Sequence, residues 1–172
     1  MTSLSLRQEY KNCNDYETSI NTWTSIINYI PTDKIIYEPF WLNGSSKKYL
    51  TDLGIKEENI IHQDIDFFEN YNKLKYDCII SNPPFETKKK ILKVLKELDK
   101  PFLLLLPISC ISKQYFQKLF KNENIQLIIP HGRTQFNQYD KKTSKIKKSN
   151  VYFDTCWIAY KMNYEKDIIF LN

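Results

Sequence analysis

The chain has 172 residues, 42% of them hydrophobic and 26% charged, which is enough for one domain with a core of its own. Its four cysteines (Cys13, Cys78, Cys110, Cys156) form no C-x-x-C pair, which speaks against a disulfide framework or a thiolate metal site and predicts free buried thiols in a reducing, intracellular compartment. The net charge of +5 suits a polyanionic partner, whereas the longest apolar run, 102–107, is far too short to cross a bilayer and the first residues lack a leader pattern; a soluble protein without a membrane partner is expected.

Residues 1–14 are polar and aperiodic and predict a flexible N-terminal arm, with 15–172 forming a single domain. Ile20, Trp23, Ile26, Ile27 and Ile30 recur at helical spacing, predicting a helix over 19–29 that ends at Pro31. A strand over 34–37 leads through the loop 38–44 to a helix over 45–53 closed by Gly54. Strands follow at 59–62 and 77–81. Thr87 then caps a helix over 88–98 whose apolar face is Ile91, Leu92, Val94, Leu95 and Leu98.

Residues 102–106 are apolar throughout and bounded by prolines, the mark of a central strand buried on both faces. A helix over 113–120 and a strand over 125–129 come next. Residues 131–150 are polar and end in Lys141, Lys142, Lys145, Lys147 and Lys148, which reads as a long basic loop. Strands over 151–160 and 167–171 close the chain. Continuous apolar strands alternating with helices predict an α/β fold: a mostly parallel sheet flanked by helices, with an antiparallel closing strand. In such sheets ligands bind beyond the carboxyl ends of the strands, and Glu38, Asp64, Asn82 and Pro107 all stand there.

The most informative segment is Ser81-Asn82-Pro83-Pro84-Phe85, where an apolar strand runs directly into a double proline. Two prolines fix φ and remove two donors, so the corner is rigid and rich in acceptors. The Asn82 side-chain oxygen and the Pro83 carbonyl can bind the two hydrogens of a planar amine such as the adenine amino group. They thereby favour a more tetrahedral nitrogen whose lone pair can attack a methyl sulfonium. Phe85 offers an aromatic face to a purine.

Asn82-Pro83-Pro84-Phe85 resembles the catalytic motif (D/N/S)-P-P-(Y/F) of amino-methyltransferases, and the chain, from about Asp15 to Met162, looks like the small N6-adenine methyltransferases of phages and large DNA viruses. The resemblance implies a Rossmann-like seven-stranded sheet and S-adenosylmethionine as cofactor, and a location in the host cytoplasm if the protein is viral. Glu38-Pro39-Phe40-Trp41-Leu42-Asn43-Gly44 is similar to the cofactor motif D/E-P-F-x-G-x-G. Glu38, Pro39, Phe40 and Gly44 match it, and Leu42 departs from it at the first glycine.

Tyr16 and Thr18, in Asp15-Tyr16-Glu17-Thr18-Ser19, resemble the Y-x-T-P segment that covers the methionine end of the cofactor. A helix cap at Thr18 explains the residues as well. Asp64, Asp66 and Phe67 resemble the D-F-L/F segment beside the cofactor adenine. Either acid is a candidate for the ribose hydroxyls, and Phe67 serves the adenine or the core. Between Gly44 and Asn82 there is room for one strand where the family has two.

His62 reads as a structural histidine, and neither it nor His131 belongs to a metal-ligand cluster. Arg133 lies in a segment similar to a G-R-x-x-F stretch and is a candidate phosphate contact. Lys141 and Lys142 extend a backbone-tracking or merely solvated basic loop, Phe153 is a candidate wall for a flipped base, and Trp157 is a core residue.

The expected activity is methyl transfer to the N6 amino group of adenine in nucleic acid, with DNA favoured and the base flipped or single-stranded. The alternatives are an RNA adenine methyltransferase, a methyltransferase of protein glutamine amides, and a non-catalytic nucleic-acid-binding subunit.

Overall fold

The computed structural model describes residues 16–140, 143–149 and 153–172. The expected arm over 1–14 lies outside them. Along the chain run β1 (Tyr16–Thr18), α1 (Ile20–Ile26), β2 (Ile36–Tyr37), α2 (Ser45–Asp52), β3 (Ile60–Ile61), α3 (Phe67–Asn70), β4 (Cys78–Ser81) and α4 (Lys88–Leu98). Then follow β5 (Phe102–Pro107), α5 (Gln114–Phe120), β6 (Ile125–Ile129), β7 (Phe136–Asp140), β8 (Lys145–Ser149), β9 (Thr155–Tyr160) and β10 (Ile168–Phe170).

Seven strands form one sheet in the order β10-β6-β9-β5-β4-β2-β3. Within it β9 runs antiparallel to β5 and β6, and the other neighbouring pairs are parallel. This is the mostly parallel α/β sheet with an antiparallel strand that the sequence predicts. Residues 44–82 contribute the single strand β3 before β4, as their length predicts, and β10 extends the opposite edge.

Local chemistry explains the elements. Leu103, Leu104, Leu105 and Leu106 are all fully buried, so β5 is covered on both faces and needs no polar alternation. Helix α4 buries Ile91, Leu92 and Leu95 along one stripe and leaves Lys89, Lys90 and Lys93 outside. It stops where Asp99 turns left-handed (φ 55°) and returns its N–H to the Leu95 carbonyl. Thr87 holds the N-cap position without a side-chain cap bond, because its hydroxyl is directed at the Pro84 carbonyl instead, at 3.3 Å. Trp23 of α1 lies on Trp157 of β9, ring centroids 5.5 Å apart, which fastens the helix to the middle of the sheet and makes Trp157 the core residue expected. Cys78, Cys110 and Cys156 are free and buried; burial pushes the Cys78 and Cys156 thiols up to about 12, so neither is a nucleophile. Among the described residues no helix is long and apolar enough to cross a membrane.

The structure corrects two expectations and adds an element that the sequence reading left out. The segment 131–150 is not a loop: β7 and β8 form an antiparallel hairpin within it, and β1 pairs with β7 to complete a three-stranded sheet. Its strands are polar (Asn137, Gln138, Lys145), and among the residues of described burial only Phe136 is buried deeply, so no apolar period betrays them. The cap read at Thr18 falls one residue later, where Ser19 Oγ accepts from Thr22 N, while Thr18 ends β1 and is buried. Finally, Phe67–Asn70 is a helical turn opened by Asp66, too short for periodicity to reveal.

Candidate functional site

Strands β3, β2 and β4 are adjacent and parallel, so their carboxyl ends open on the same edge of the sheet. The chain that leaves those ends, together with β1, encloses a cleft of about 400 Å³. This is the size of a small-molecule site, roughly 300–1,000 Å³. Tyr16 and Thr18 line it from β1. Glu38, Pro39 and Phe40 line it from the β2 tip, Asp64, Asp66 and Phe67 from beyond β3, and Asn82, Pro83, Pro84 and Phe85 from the β4 tip. The whole predicted catalytic set and all of the predicted cofactor set except Gly44 are thus brought to one cavity, from segments up to 69 residues apart (85 − 16).

At the β4 tip the hydrogen bonds are distributed unevenly. The Pro84 carbonyl accepts from Thr87 N, and the Phe85 carbonyl accepts from Lys88 Nζ at 2.6 Å. Asn82 Oδ1 is buried and has no hydrogen-bond partner among the described residues. A buried acceptor left unbonded costs on the order of 1–3 kcal/mol, so its presence in a cavity marks a position waiting for a donor. Phe85 is held edge-on by Phe153 (ring centroids 5.2 Å) and Phe136 (6.1 Å), which fixes its ring at the cleft wall.

At the β2 tip the polar groups are only partly satisfied from within: Glu38 Oε2 and His62 Nε2 are buried without a hydrogen-bond partner among the described residues. Glu38 is 2% exposed, and its Oε1 accepts from the Ser81 hydroxyl in a short bond and from Phe40 N at 3.3 Å. His62 Nδ1 stands 2.7 Å from Glu38 Oε2 and 2.8 Å from the Glu38 carbonyl; the directed hydrogen bond goes to the carbonyl. Burial disfavours protonation of His62, but its contacts with Glu38 outweigh burial and hold its pKa above the ordinary histidine value. Trp41 lies on the His62 ring at 4.8 Å. The histidine is therefore structural, as expected.

The loop between Glu38 and α2 explains the departure from the glycine pattern. Leu42, standing where the pattern has its first glycine, adopts the left-handed region itself (φ 46°), so the backbone path is kept at the cost of strain. Gly44 (φ 77°) is required for another reason: a Cβ there would lie 2.7 Å from the Trp41 ring. Gly44 thus makes room for this protein's own tryptophan and does not line the cleft.

The two acids beyond β3 differ. Asp66 Oδ1 accepts from Glu69 N and caps α3, whereas Asp64 is exposed and makes no hydrogen bond or ion pair with the described residues. Phe67 is 4% exposed and sits among Tyr37, Phe40, Phe68 and Tyr71, so it belongs chiefly to the core while still touching the cleft.

The expected substrate contacts lie apart from the cavity lining. Arg133 is 65% exposed along its side chain and pairs with Asp154 at 3.3 Å, and Phe153 backs Phe85. Lys141 and Lys142 lie outside the described residues. Sequence reasoning missed Glu17, Trp41 and Asn43, which also line the cleft. The partners that give Glu17 its meaning are 26, 32 and 120 residues away, so no local signal exposes it.

No family model matches the chain, and no curated protein matches its sequence. Among solved structures it is similar to an S-adenosylmethionine-dependent O-methyltransferase from Thermotoga maritima, at 10% identity and a TM-score of 0.42, over 96% of this chain and 68% of that one. It is also similar to TrmN from Thermus thermophilus, at 11% identity and a TM-score of 0.37, over 84% of this chain; the chain spans 42% of TrmN.

Proposed function

We propose that the cleft binds S-adenosylmethionine and that the protein methylates the N6 amino group of adenine in nucleic acid, DNA in the first place. The observation that carries this reading is the buried, unbonded Asn82 Oδ1 at a double-proline corner on the wall of the cavity. The residues present fit such a cofactor. Phe40, Phe67 and the carboxylates of Asp64 and Asp66 suit a nucleoside, and Tyr16, Thr18 and the Glu38 loop suit its other end. When bound, the cofactor supplies an electrophilic methyl group.

This chain's own residues then act on the amine. Asn82 Oδ1, which has no partner among the described residues, accepts one amino hydrogen, and the Pro83 carbonyl accepts the other. As the nitrogen becomes tetrahedral its hydrogens grow more acidic, so these two bonds strengthen in the transition state and contribute to rate as well as binding. The prolines hold both acceptors still, so no reorganisation is needed at the moment of reaction. Phe85, braced by Phe136 and Phe153, presents a fixed aromatic wall to the extruded base. Arg133, Lys141, Lys142 and the hairpin lysines supply positive charge for the phosphate backbone.

A tritiated-methyl transfer assay on matched DNA and RNA oligonucleotides tests the reading. Incorporation into adenine is expected, with DNA preferred in competition; stronger transfer to RNA replaces the substrate, and incorporation into neither, with cofactor bound, defeats the assignment. Asn82→Ala is expected to lower kcat by roughly 10²–10³-fold, the loss typical of one preorganised transition-state partner, with cofactor affinity nearly unchanged.

A further inference from the structure

The loop that leaves β4 has little backbone bonding of its own. Pro83 and Pro84 carry no N–H, and the ladder from β4 to β5 ends at Ser81. The Pro84 carbonyl receives two long bonds, from Thr87 N and from Thr87 Oγ1, both at 3.3 Å. The Phe85 carbonyl receives a short, charge-assisted bond, 2.6 Å from the Lys88 ammonium. Lys88 is half-buried, so solvent ions screen this bond less than a surface contact.

Lys88 stands in an unfavourable place for a cation. It is the first residue of α4, whose opening turn holds Lys88, Lys89 and Lys90 and no acid. The positive end of the helix dipole disfavours cations, and acids are the ordinary residents of that turn. A local rule broken in this way is expected at functional positions. The three lysines also have different surroundings. Lys88 turns back to the Phe85 carbonyl, Lys90 lies over the Phe68 ring at 3.8 Å, and Lys89 is exposed. Phe85 is braced on its ring by Phe136 and Phe153, which belong to the small sheet and to the chain before β9. Those supports lie outside the large sheet, whereas α4 is anchored in the core by Ile91, Leu92 and Leu95. Lys88 thus ties the Phe85 backbone to the rigid part of the fold.

We propose that Lys88 is a positioning residue for the double-proline corner: its ammonium, seated on the Phe85 carbonyl, keeps the Asn82 acceptor and the Phe85 wall aligned with the reacting amine. The assignment rests on the methyl-transfer reading above. Lys88 touches no reacting atom in it and acts through the loop, where a displacement of about 1 Å is enough to cost about 10²-fold in rate. Its role differs from that of a cation that meets phosphate. Loss of a phosphate contact weakens binding, whereas loss of Lys88 lowers kcat and leaves the affinities for both ligands alone.

The test compares methyl transfer to an adenine-containing oligonucleotide by the full chain, Lys88→Met, Lys88→Arg and Lys89→Met, with calorimetry of S-adenosylhomocysteine on each. Lys88→Met is expected to lower kcat about 10- to 100-fold, with both KM values and the affinity for S-adenosylhomocysteine held within about twofold. It is also expected to speed amide exchange at Phe85 and Glu86 while β4 and β5 stay protected. Lys88→Arg restores a donor and should recover most of the rate. Lys89→Met removes the same charge from the same turn and should match the wild type. A raised oligonucleotide KM with kcat unchanged makes Lys88 a phosphate contact and overturns the assignment. So does a wild-type rate or unchanged loop exchange in Lys88→Met, an arginine variant as slow as the methionine one, or an equal loss in Lys89→Met. Lys88→Ala, the better helix former, is run in parallel and decides the matter if Lys88→Met does not fold. In all of these outcomes the wild type still transfers methyl groups, and the functional reading stands. No transfer by the wild type to DNA or RNA removes that reading, and the assignment falls with it.

Discussion

The seven-stranded sheet and the three-stranded sheet of β1, β7 and β8 hold together by different means. In the large sheet, β5 and β9 bury every residue from Phe102 to Leu106 and from Thr155 to Tyr160, and the ladder is sealed on both faces by helices. In the small sheet Lys145 and Ile146, successive residues of β8 that point to opposite faces, are both exposed, and what anchors the sheet is Phe136 against Tyr16 and Phe85 and the bond from Asn137 to Glu17. Apolar burial scales with area, whereas hydrogen bonds contribute only about 0.5–1.5 kcal/mol each net. The large sheet is therefore the scaffold, and the small one is a wall of the cleft that depends on a few polar contacts. A site built between such parts has a rigid floor, the β4 tip, and a side that can open at low cost.

The comparison can be broken or sharpened by measurement. The largest effect is expected for Leu105→Ala in β5, which should lower global stability by about 2–5 kcal/mol in denaturant unfolding, since the site has no solvent to collapse against. Asn137→Ala in β7 should cost about 1 kcal/mol, seen as faster amide exchange in β1 and β7 with β5 protection unchanged; loss of protection throughout would show the two sheets to be one cooperative unit.

The pH dependence should divide the same way. Glu17 has a lowered pKa in the fold, so its stabilisation is present above its unfolded value near 4.5 and is lost as pH falls through the lower folded value. His62 has a raised pKa, so its contribution is present below its unfolded value near 6.5 and is lost as pH rises through the higher folded value. Thermal unfolding across pH should therefore show Glu17→Gln flattening the acid limb, and substitution of His62 by Asn flattening the neutral limb. The smallest effect is expected for Leu42→Gly. Release of left-handed strain of about 1–2 kcal/mol is partly offset by about 0.4–1 kcal/mol of added unfolded-chain entropy, so stability should hold or rise slightly; a clear loss would mean that the leucine side chain is needed where it lies.

How much was legible beforehand follows from where each signal resides. The apolar strand 102–106, the amphipathic helix 88–98 and the double-proline corner are local, and their places in the structure agree with the sequence reading to within a residue or so. The hairpin at 136–149 escaped because polar strands carry no alternation, and its existence depends on pairing with β1, some 120 residues earlier. Asn82 was legible because the motif names it. Glu17 was not, because a glutamate in sequence is charged surface until its donors are known.

By itself, then, the chain determined which segments bury both faces and where an acceptor-rich corner must form, since hydrophobic runs and proline act through neighbours in sequence. Only the tertiary structure decided that three neutral donors converge on Glu17, that Gly44 accommodates Trp41, and that Leu42 holds a glycine's conformation. Those properties depend on through-space packing, and a carboxylate's surroundings are set by donors that reach it from distant segments.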